Sequence, residues 1–277
     1  MLITKSDGTQ EEFDPRKLVS SLVRAGASSE IAEDVSSMIV REMRSGMTTS
    51  EIYRHAFSDL KSRKPIVAAK YSLKRAVQDF GPSGFPFESY LSKLFEAEGY
   101  ETKVDQIIQG TCVEHEVDVV LNKGKELWYV EAKFHNSAGF KTDLKTVLYV
   151  KARMEDIYAA RKASGEKFFG RGMVATNTKF TSHAVRYSQC AGLELLGWEY
   201  PAGDTLHDKI DKTGLYPITA LTSLSRREKN FLLESRIVLC NDLEKHEAAL
   251  TQAGVPRHKV VSVLAEARGL CVSGRGI

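Results

Sequence analysis

Two short stretches carry residues able to do chemistry together. The first reads His115-Glu116-Val117-Asp118-Val119-Val120-Leu121; after Asn122-Lys123-Gly124-Lys125 the second reads Leu127-Trp128-Tyr129-Val130-Glu131-Ala132-Lys133-Phe134. Side chains alternate along a strand, so Glu131 and Lys133 share one face while Val130, Ala132 and Phe134 take the other, the core face. The Asn-Lys-Gly-Lys stretch reads as a hairpin turn, and a connection of two or four residues pairs even positions of the first strand with odd positions of the second. Asp118 then lands on the same face as Glu131; with a symmetric loop of about four residues it falls directly opposite Glu131, and Glu116 opposite Lys133, with Cβ atoms about 5 Å apart. Two carboxylates that close repel each other, and a proton or a cation relieves them. Magnesium does so with one or two carboxylates, several waters and substrate phosphate oxygens. Such a metal polarises the phosphate and acidifies a bound water, and Lys133 would orient that water or stabilise developing negative charge. A solvated strand face with a cross-strand salt bridge has the same spacing, so the residues alone leave the two readings open.

The elements that must position these residues are legible on both sides. Phe87, Tyr90, Leu91, Leu94 and Phe95 recur at helical spacing, Gly99 suits a C-terminal cap, and Glu88 lies beside the apolar stripe. Over residues 143–163, Leu144, Val147, Leu148, Met154, Ile157 and Tyr158 again follow a helical period, which Gly165 ends. With strands near Val174 and Leu193–Leu196, the order is helix, strand, strand, helix, strand, helix, strand. That alternation predicts an α/β sheet flanked by helices.

Asp118, a twelve-residue gap and Glu131-Ala132-Lys133 resemble the PD-(D/E)xK nucleases, in particular the Mrr-type restriction endonuclease-like domain. The stretch Phe87–Tyr100 is similar to that domain's first helix, in which a glutamate contributes to the metal site; here it is Glu88. Val174–Ala184 resembles its later strand, turn and helix, and Leu193–Leu196 its last strand. Coverage runs from about Phe85 to Tyr200. The proline that names the motif is absent, Val117 preceding Asp118. The resemblance implies Glu88, Asp118 and Glu131 as metal ligands, with Asp118, Glu131 and Lys133 as catalytic residues, Mg2+ or Mn2+ as cofactor and DNA as substrate. His115 and His135 flank the motif as phosphate or metal contacts or as ordinary polar packing. Tyr129 reads as a packing residue, and Lys179 as a group able to approach substrate phosphate.

At the N-terminus, Asp7-Gly8 is a hairpin signal, and Thr48-Thr49-Ser50-Glu51 has the form of a capping box with Thr48 as N-cap. Lys5, Lys17, Lys70 and Lys74 around a small helical pocket would suit a triphosphate, with apolar Ile3 against a base. The run Ile3–Leu18, then Ser20–Gly26, Thr48–Tyr53 and Ala68–Ala76, resembles an ATP-cone, the regulatory nucleotide-binding module of ribonucleotide reductases and their repressors. That resemblance places Ile3, Lys5, Glu11, Asp14, Lys17, Thr49 and Lys70 near nucleotide. Lys5-Ser6 stands where most of the family has two basic residues, and Lys70 where an arginine is frequent. No phosphate loop of the Gly-x-x-x-x-Gly-Lys-Ser/Thr type occurs, so ATP or dATP reads as an effector rather than a fuel.

From about Pro217 the chain reads as helical. Ser225-Arg226-Arg227-Glu228 is a capping box, Ser235–Leu243 a turn into another helix, and Gly254-Val255-Pro256 the break before a last one. This faintly resembles a helix-hairpin-helix without its usual glycines, and makes Arg226, Arg227 and Arg236, with Lys179, candidate DNA contacts; the alternative is a solvated helix face. A formal charge of +3 is too small to argue for nucleic acid by itself, so any basic surface must be local. Cys112, Cys190, Cys240 and Cys271 are widely spaced, which argues against zinc and for reduced thiols in a cytoplasmic protein. No apolar run long enough for a membrane span appears. Gly81–Pro86 and Pro201–Pro217 read as linkers.

The expected organisation is α/β overall: a mostly helical cone with a small hairpin over 1–80, a nuclease-like sheet flanked by helices over 85–202, and a small helical domain over 217–277. The function this implies is a nucleotide-regulated, metal-dependent DNA endonuclease, with a homo-oligomer among its expected partners. Two alternatives stand beside it: an ATP- or dATP-sensing DNA-binding regulator built on a non-catalytic nuclease-like scaffold, and a structure-specific or RNA-directed nuclease.

Overall fold

The computed structural model describes residues 1–5, 8–137, 139–166 and 170–272. The chain forms two compact units: residues 1–79 with the segment that starts at Tyr216, and Phe80–Leu215.

The first unit opens with an antiparallel pair, β1 (Leu2–Thr4) and β2 (Gln10–Glu12), in register Ile3↔Glu11. Lys5 N–H donates to the Thr9 carbonyl at 2.8 Å. The expected Asp7-Gly8 turn and the Lys5-Ser6 departure fall partly on Ser6 and Asp7, outside the described residues; Gly8 has φ +83°. Helices follow: α1 (Pro15–Arg24), α2 (Ser29–Glu42), α3 (Thr49–Arg63), α4 (Pro65–Tyr71) and α5 (Leu73–Gln78). Their boundaries have local causes. Asp14 caps α1 with Pro15 in its first turn, and Thr48 and Glu51 form the reciprocal capping box of α3, a device worth about 1 kcal/mol. Pro65 cannot continue α3, so α4 starts there. Leu22, Val35, Ile39, Ala56 and Leu60 are fully buried and form this unit's apolar centre.

The second unit contains α6 (Phe85–Ala97), β3 (Glu101–Gln109), β4 (Glu114–Lys123), β5 (Glu126–Lys133), β6 (Lys141–Thr142), α7 (Leu144–Ala163), β7 (Arg171–Thr176), β8 (Lys179–Phe180), α8 (Ser182–Ala191), β9 (Glu194–Leu196) and α9 (Leu206–Thr213). Its sheet has the order β3-β4-β5-β7-β9, antiparallel through β5 and parallel beyond, with β6 and β8 paired separately. Phe134, just past β5, packs on Phe87 of α6 at 5.8 Å, while Tyr129 shares a core with Val147, Val150, Met154 and Ile157 of α7. Helices on both faces explain why Trp128 to Ala132 is buried without alternation.

Two expectations are corrected here. A strand, β3, precedes the two read from the sequence. Its inward positions are only half-buried and include Thr102 and Gln106, so as an edge strand it lacks an apolar signature. The stretch Pro201–Pro217, read as a linker, contains α9, started by a Thr205/Asp208 capping box and ended by Gly214 at φ +66°. Buried Lys209 on that helix pairs with Glu98 at 2.7 Å and Asp204 at 2.9 Å.

After Tyr216 the chain continues through a 3-10 turn at Ile218–Ala220, α10 (Arg226–Glu234), a 3-10 turn at Cys240–Glu244, α11 (Glu247–Gln252) and α12 (Arg257–Val272). Ser225 and Glu228 form the predicted capping box of α10. No helix among the described residues is long and apolar enough to cross a membrane.

Candidate active site

The hairpin turn is the pair Gly124-Lys125, with Gly124 at φ +62°. It sets Lys123 opposite Glu126, and the ladder runs to Val119↔Val130. The next step of this register is Asp118 opposite Glu131, the juxtaposition the spacing predicts. Regular pairing stops there, and Asp118 Oδ2 accepts the Ala132 N–H at 2.6 Å. On the other flank, β3 pairs Val104↔Val119 and Gln106↔Val117, so Asp105 falls opposite Asp118. Asp105 has φ +52°, a left-handed conformation that aspartate tolerates better than most residues. Asp105, Asp118 and Glu131 thus stand in a row across three neighbouring strands. Glu88, in the first turn of α6, lies close enough to Asp118 and Asp105 for their charges to act on it.

The carboxylates are not equivalent. Glu131 is 4% exposed and carries two cations: Lys133 Nζ at 2.5 Å, and the guanidinium of Arg153 from α7. Arg153 is itself buried and donates through Nη2 to the Tyr149 hydroxyl at 2.7 Å. Burial works against the Arg153 charge, but Glu131 and Tyr149 outweigh it and raise its pKa. Glu88 and Asp118 lack such compensation. Burial, then the charges of Asp118 and Asp105, push Glu88 up to about 7. Burial and the charge of Glu131 push Asp118 up to about 6, against the opposing pull of the Ala132 N–H, Lys133 and Arg153. A pair of carboxylates held together and short of positive charge fits a hard divalent cation, which needs only one or two of them. Among the described residues, no three His, Cys, Asp or Glu side chains form a ready-made metal cage.

Sequence reasoning missed Arg153 and Asp105. Arg153 lies at i, i+3, i+4, i+7 spacing with the buried Val150, Met154 and Ile157. A cation inside an apolar stripe was the available signal, since buried arginines are almost always paired.

The flanking candidates have other partners. His115 Nε2 meets Asp156 Oδ2 at 2.8 Å, and Asp156 also accepts the Cys112 N–H at 2.8 Å, tying the β3–β4 turn to α7. The His135 backbone N–H donates to Asn177 Oδ1 and its carbonyl accepts from Asn177 Nδ2, and the imidazole pKa is lowered by burial and by Lys133. Lys179 pairs with Glu199 at 2.8 Å, and Tyr129 is core.

In the first unit, Glu11 joins Lys5 at 2.6 Å and Lys17 at 3.5 Å. Ile3 is buried, Asp14 is engaged as the cap of α1 by the backbone and side chain of Arg16, and Thr49 is the first residue of α3. The Lys70 ammonium stands 5.6 Å from the centroid of the Tyr216 ring. Arg226 and Arg227 are exposed in the first turn of α10, and Arg236, at φ +62°, lies in the turn after it.

Comparison with known proteins agrees with this architecture. Residues 1–80 match the ATP cone domain and residues 82–199 a restriction endonuclease domain, so the chain joins an ATP-cone domain to a restriction endonuclease-like one. Residues 216–271 match the domain described as AF1548-like, C-terminal. An uncharacterized protein of Archaeoglobus fulgidus is 36% identical over 180 residues, 64% of this chain and 98% of that one. The crystal structure of a protein of unknown function, AF1548, superposes with a TM-score of 0.56 at 34% identity, covering 69% of this chain and 99% of that one. The chain therefore belongs to the AF1548-like family.

Proposed function

We propose that this protein is a divalent-metal-dependent endonuclease that hydrolyses phosphodiester bonds in DNA, controlled by adenine nucleotide at its N-terminal cone. The observation that carries the reading is the Glu88/Asp118 pair, two partly buried carboxylates with raised pKa values beside a lysine. Glu88, Asp118 and Glu131 would hold Mg2+ or Mn2+, Glu131 sharing its oxygens with Lys133 and Arg153. The metal, when bound, polarises the scissile phosphate and acidifies a water. The chain's own contribution is placement. The Ala132 N–H fixes Asp118, and Glu131 holds the Lys133 ammonium where it stabilises negative charge developing on phosphate. On this reading Lys5 and Lys17 take the nucleotide phosphates in exchange for Glu11. The test is cleavage of DNA with magnesium or manganese, with and without ATP, alongside Asp118→Asn. Metal-dependent cutting that the variant loses supports the proposal, and an ATP-dependent change in rate supports the regulatory half.

The full engagement of Glu131 by two cations favours a second reading, a nucleotide-sensing DNA-binding regulator with a non-catalytic scaffold. Wild-type protein that binds DNA but leaves it intact with either metal selects that reading.

A further inference from the structure

Within the first unit, α3, α5 and the segment after Tyr216 line a cavity of about 270 Å3. Its wall carries three cations, Arg54, Arg75 and Lys229, against one carboxylate, Asp79. Arg75 is already in place. Its guanidinium lies 3.6 Å from the centroid of the Tyr53 ring, and Nη2 donates to Ser50 Oγ at 2.9 Å. Tyr53 is in turn stacked with Tyr71 at 5.1 Å and Phe57 at 5.9 Å. A guanidinium fixed this way has little side-chain freedom left to lose on binding an anion. Lys229 reaches in from α10 and donates to the Thr219 carbonyl at 2.7 Å, which leaves two of its three N–H groups.

Size and charge together define the ligand. Pockets for drug-sized molecules start at about 300 Å3, so this one suits a compact group. Three cations against one carboxylate select an anion, and an arginine fork with a flanking lysine matches phosphate. With Arg75 laid over it, the Tyr53 ring offers a guanidinium rather than a surface for stacking a base.

We infer that this cavity is a second phosphate site, separate from the Lys5–Glu11–Lys17 cluster, and that it takes a phosphate or diphosphate group. None of those three residues lines it. The group has two possible sources, free diphosphate or the phosphate end of a nucleotide. The inference is independent of the nuclease assignment.

Calorimetric titration of the full chain with pyrophosphate, and in parallel with ADP, tests it. Arg54→Gln and Lys229→Met should each weaken pyrophosphate about tenfold or more, the scale of one charge-assisted hydrogen bond, and should do so equally in a Lys17→Ala background. An ADP site weakened by the same two variants identifies the nucleotide source; an ADP response confined to Lys17→Ala identifies free diphosphate. Arg54 is exposed, so its variant keeps the fold and decides the matter if Lys229→Met melts early. Pyrophosphate that fails to bind, or that Lys17→Ala weakens while Arg54→Gln does not, overturns the assignment.

Discussion

The carboxylates around Asp118 and the cations around Glu11 are clusters of opposite character. At the end of the sheet, Glu131 and Arg153 are almost wholly removed from water, and Glu88 and Asp118 beside them are short of positive charge. At the hairpin, Lys5 and Lys17 share the single carboxylate of Glu11, with side chains 41% and 67% exposed. A buried pair cannot lose one member without leaving an unpaired charge in a poor solvent. An exposed pair is worth roughly 0–1 kcal/mol and exchanges readily with water or a ligand. The difference lies in the support. Three strands and two helices hold the carboxylates close despite their repulsion, whereas two short strands and the start of α1 carry charges that exchange easily with water.

The largest effect belongs to the uncompensated carboxylates. Asp118→Asn keeps an acceptor for the Ala132 N–H while removing the charge, so cleavage should fall to background with the melting temperature nearly unchanged. Lys133→Ala should slow cleavage roughly 100- to 1,000-fold, the range for losing one group that stabilises transition-state charge. Both are read by single-turnover nicking of plasmid DNA. Undiminished cutting by either variant would erase the contrast between the two clusters.

Next in size is the buried ion pair. Arg153→Met leaves Glu131 with Lys133 alone and should destabilise the second unit by about 3–5 kcal/mol. Urea unfolding followed by intrinsic fluorescence measures it. The double variant Arg153→Met, Glu131→Gln should recover part of the loss, because the buried carboxylate left with a single, half-exposed cation is then replaced by a neutral group. A single variant as stable as wild type would show that Lys133 suffices.

These two predictions also mark the limits of the sequence. That Asp118 and Glu131 share a face was legible because an even-length turn and a period of two require it, and Glu88 because a helical period and Gly99 bound its helix. Strand β3, and with it Asp105, was not. An edge strand with threonine and glutamine inward carries no apolar alternation, so the residue opposite Asp118 had no strand to sit on. Arg153 was hidden for another reason. Its partner lies 22 positions away, and only the packing of α7 on the sheet joins them. Helix α9 was masked by the prolines that flank it, although Thr205-x-x-Asp208 was a usable start signal.

A third prediction concerns Asp156, one helical turn past Arg153 on α7. Its hydrogen bond to His115 leads the effects that lower its pKa to about 2 from the ordinary 3.8, with the Cys112 and Val113 N–H groups adding to it against a smaller opposing effect of burial. A carboxyl depressed on folding contributes stability above its unfolded pKa and loses it as pH falls through the folded one. Stability should therefore decline between about pH 4 and pH 2, and Asp156→Asn should flatten that part of the profile. Urea midpoints at a series of acid pH values test this, and identical slopes in the two proteins would refute it.

The smallest effect returns to the hairpin. Glu11 would compete with a phosphate for Lys5 and Lys17, and exposed pairs of this kind are weak. Glu11→Gln should then tighten ATP binding by no more than roughly fivefold per pair released, whereas Lys17→Ala should weaken it. Calorimetry on the full chain separates the two signs. Should Glu11→Gln weaken binding instead, Glu11 would be a nucleotide contact in its own right, and the hairpin would resemble the sheet end more closely: a carboxylate held in place for its ligand, with the lysines as the groups that position it.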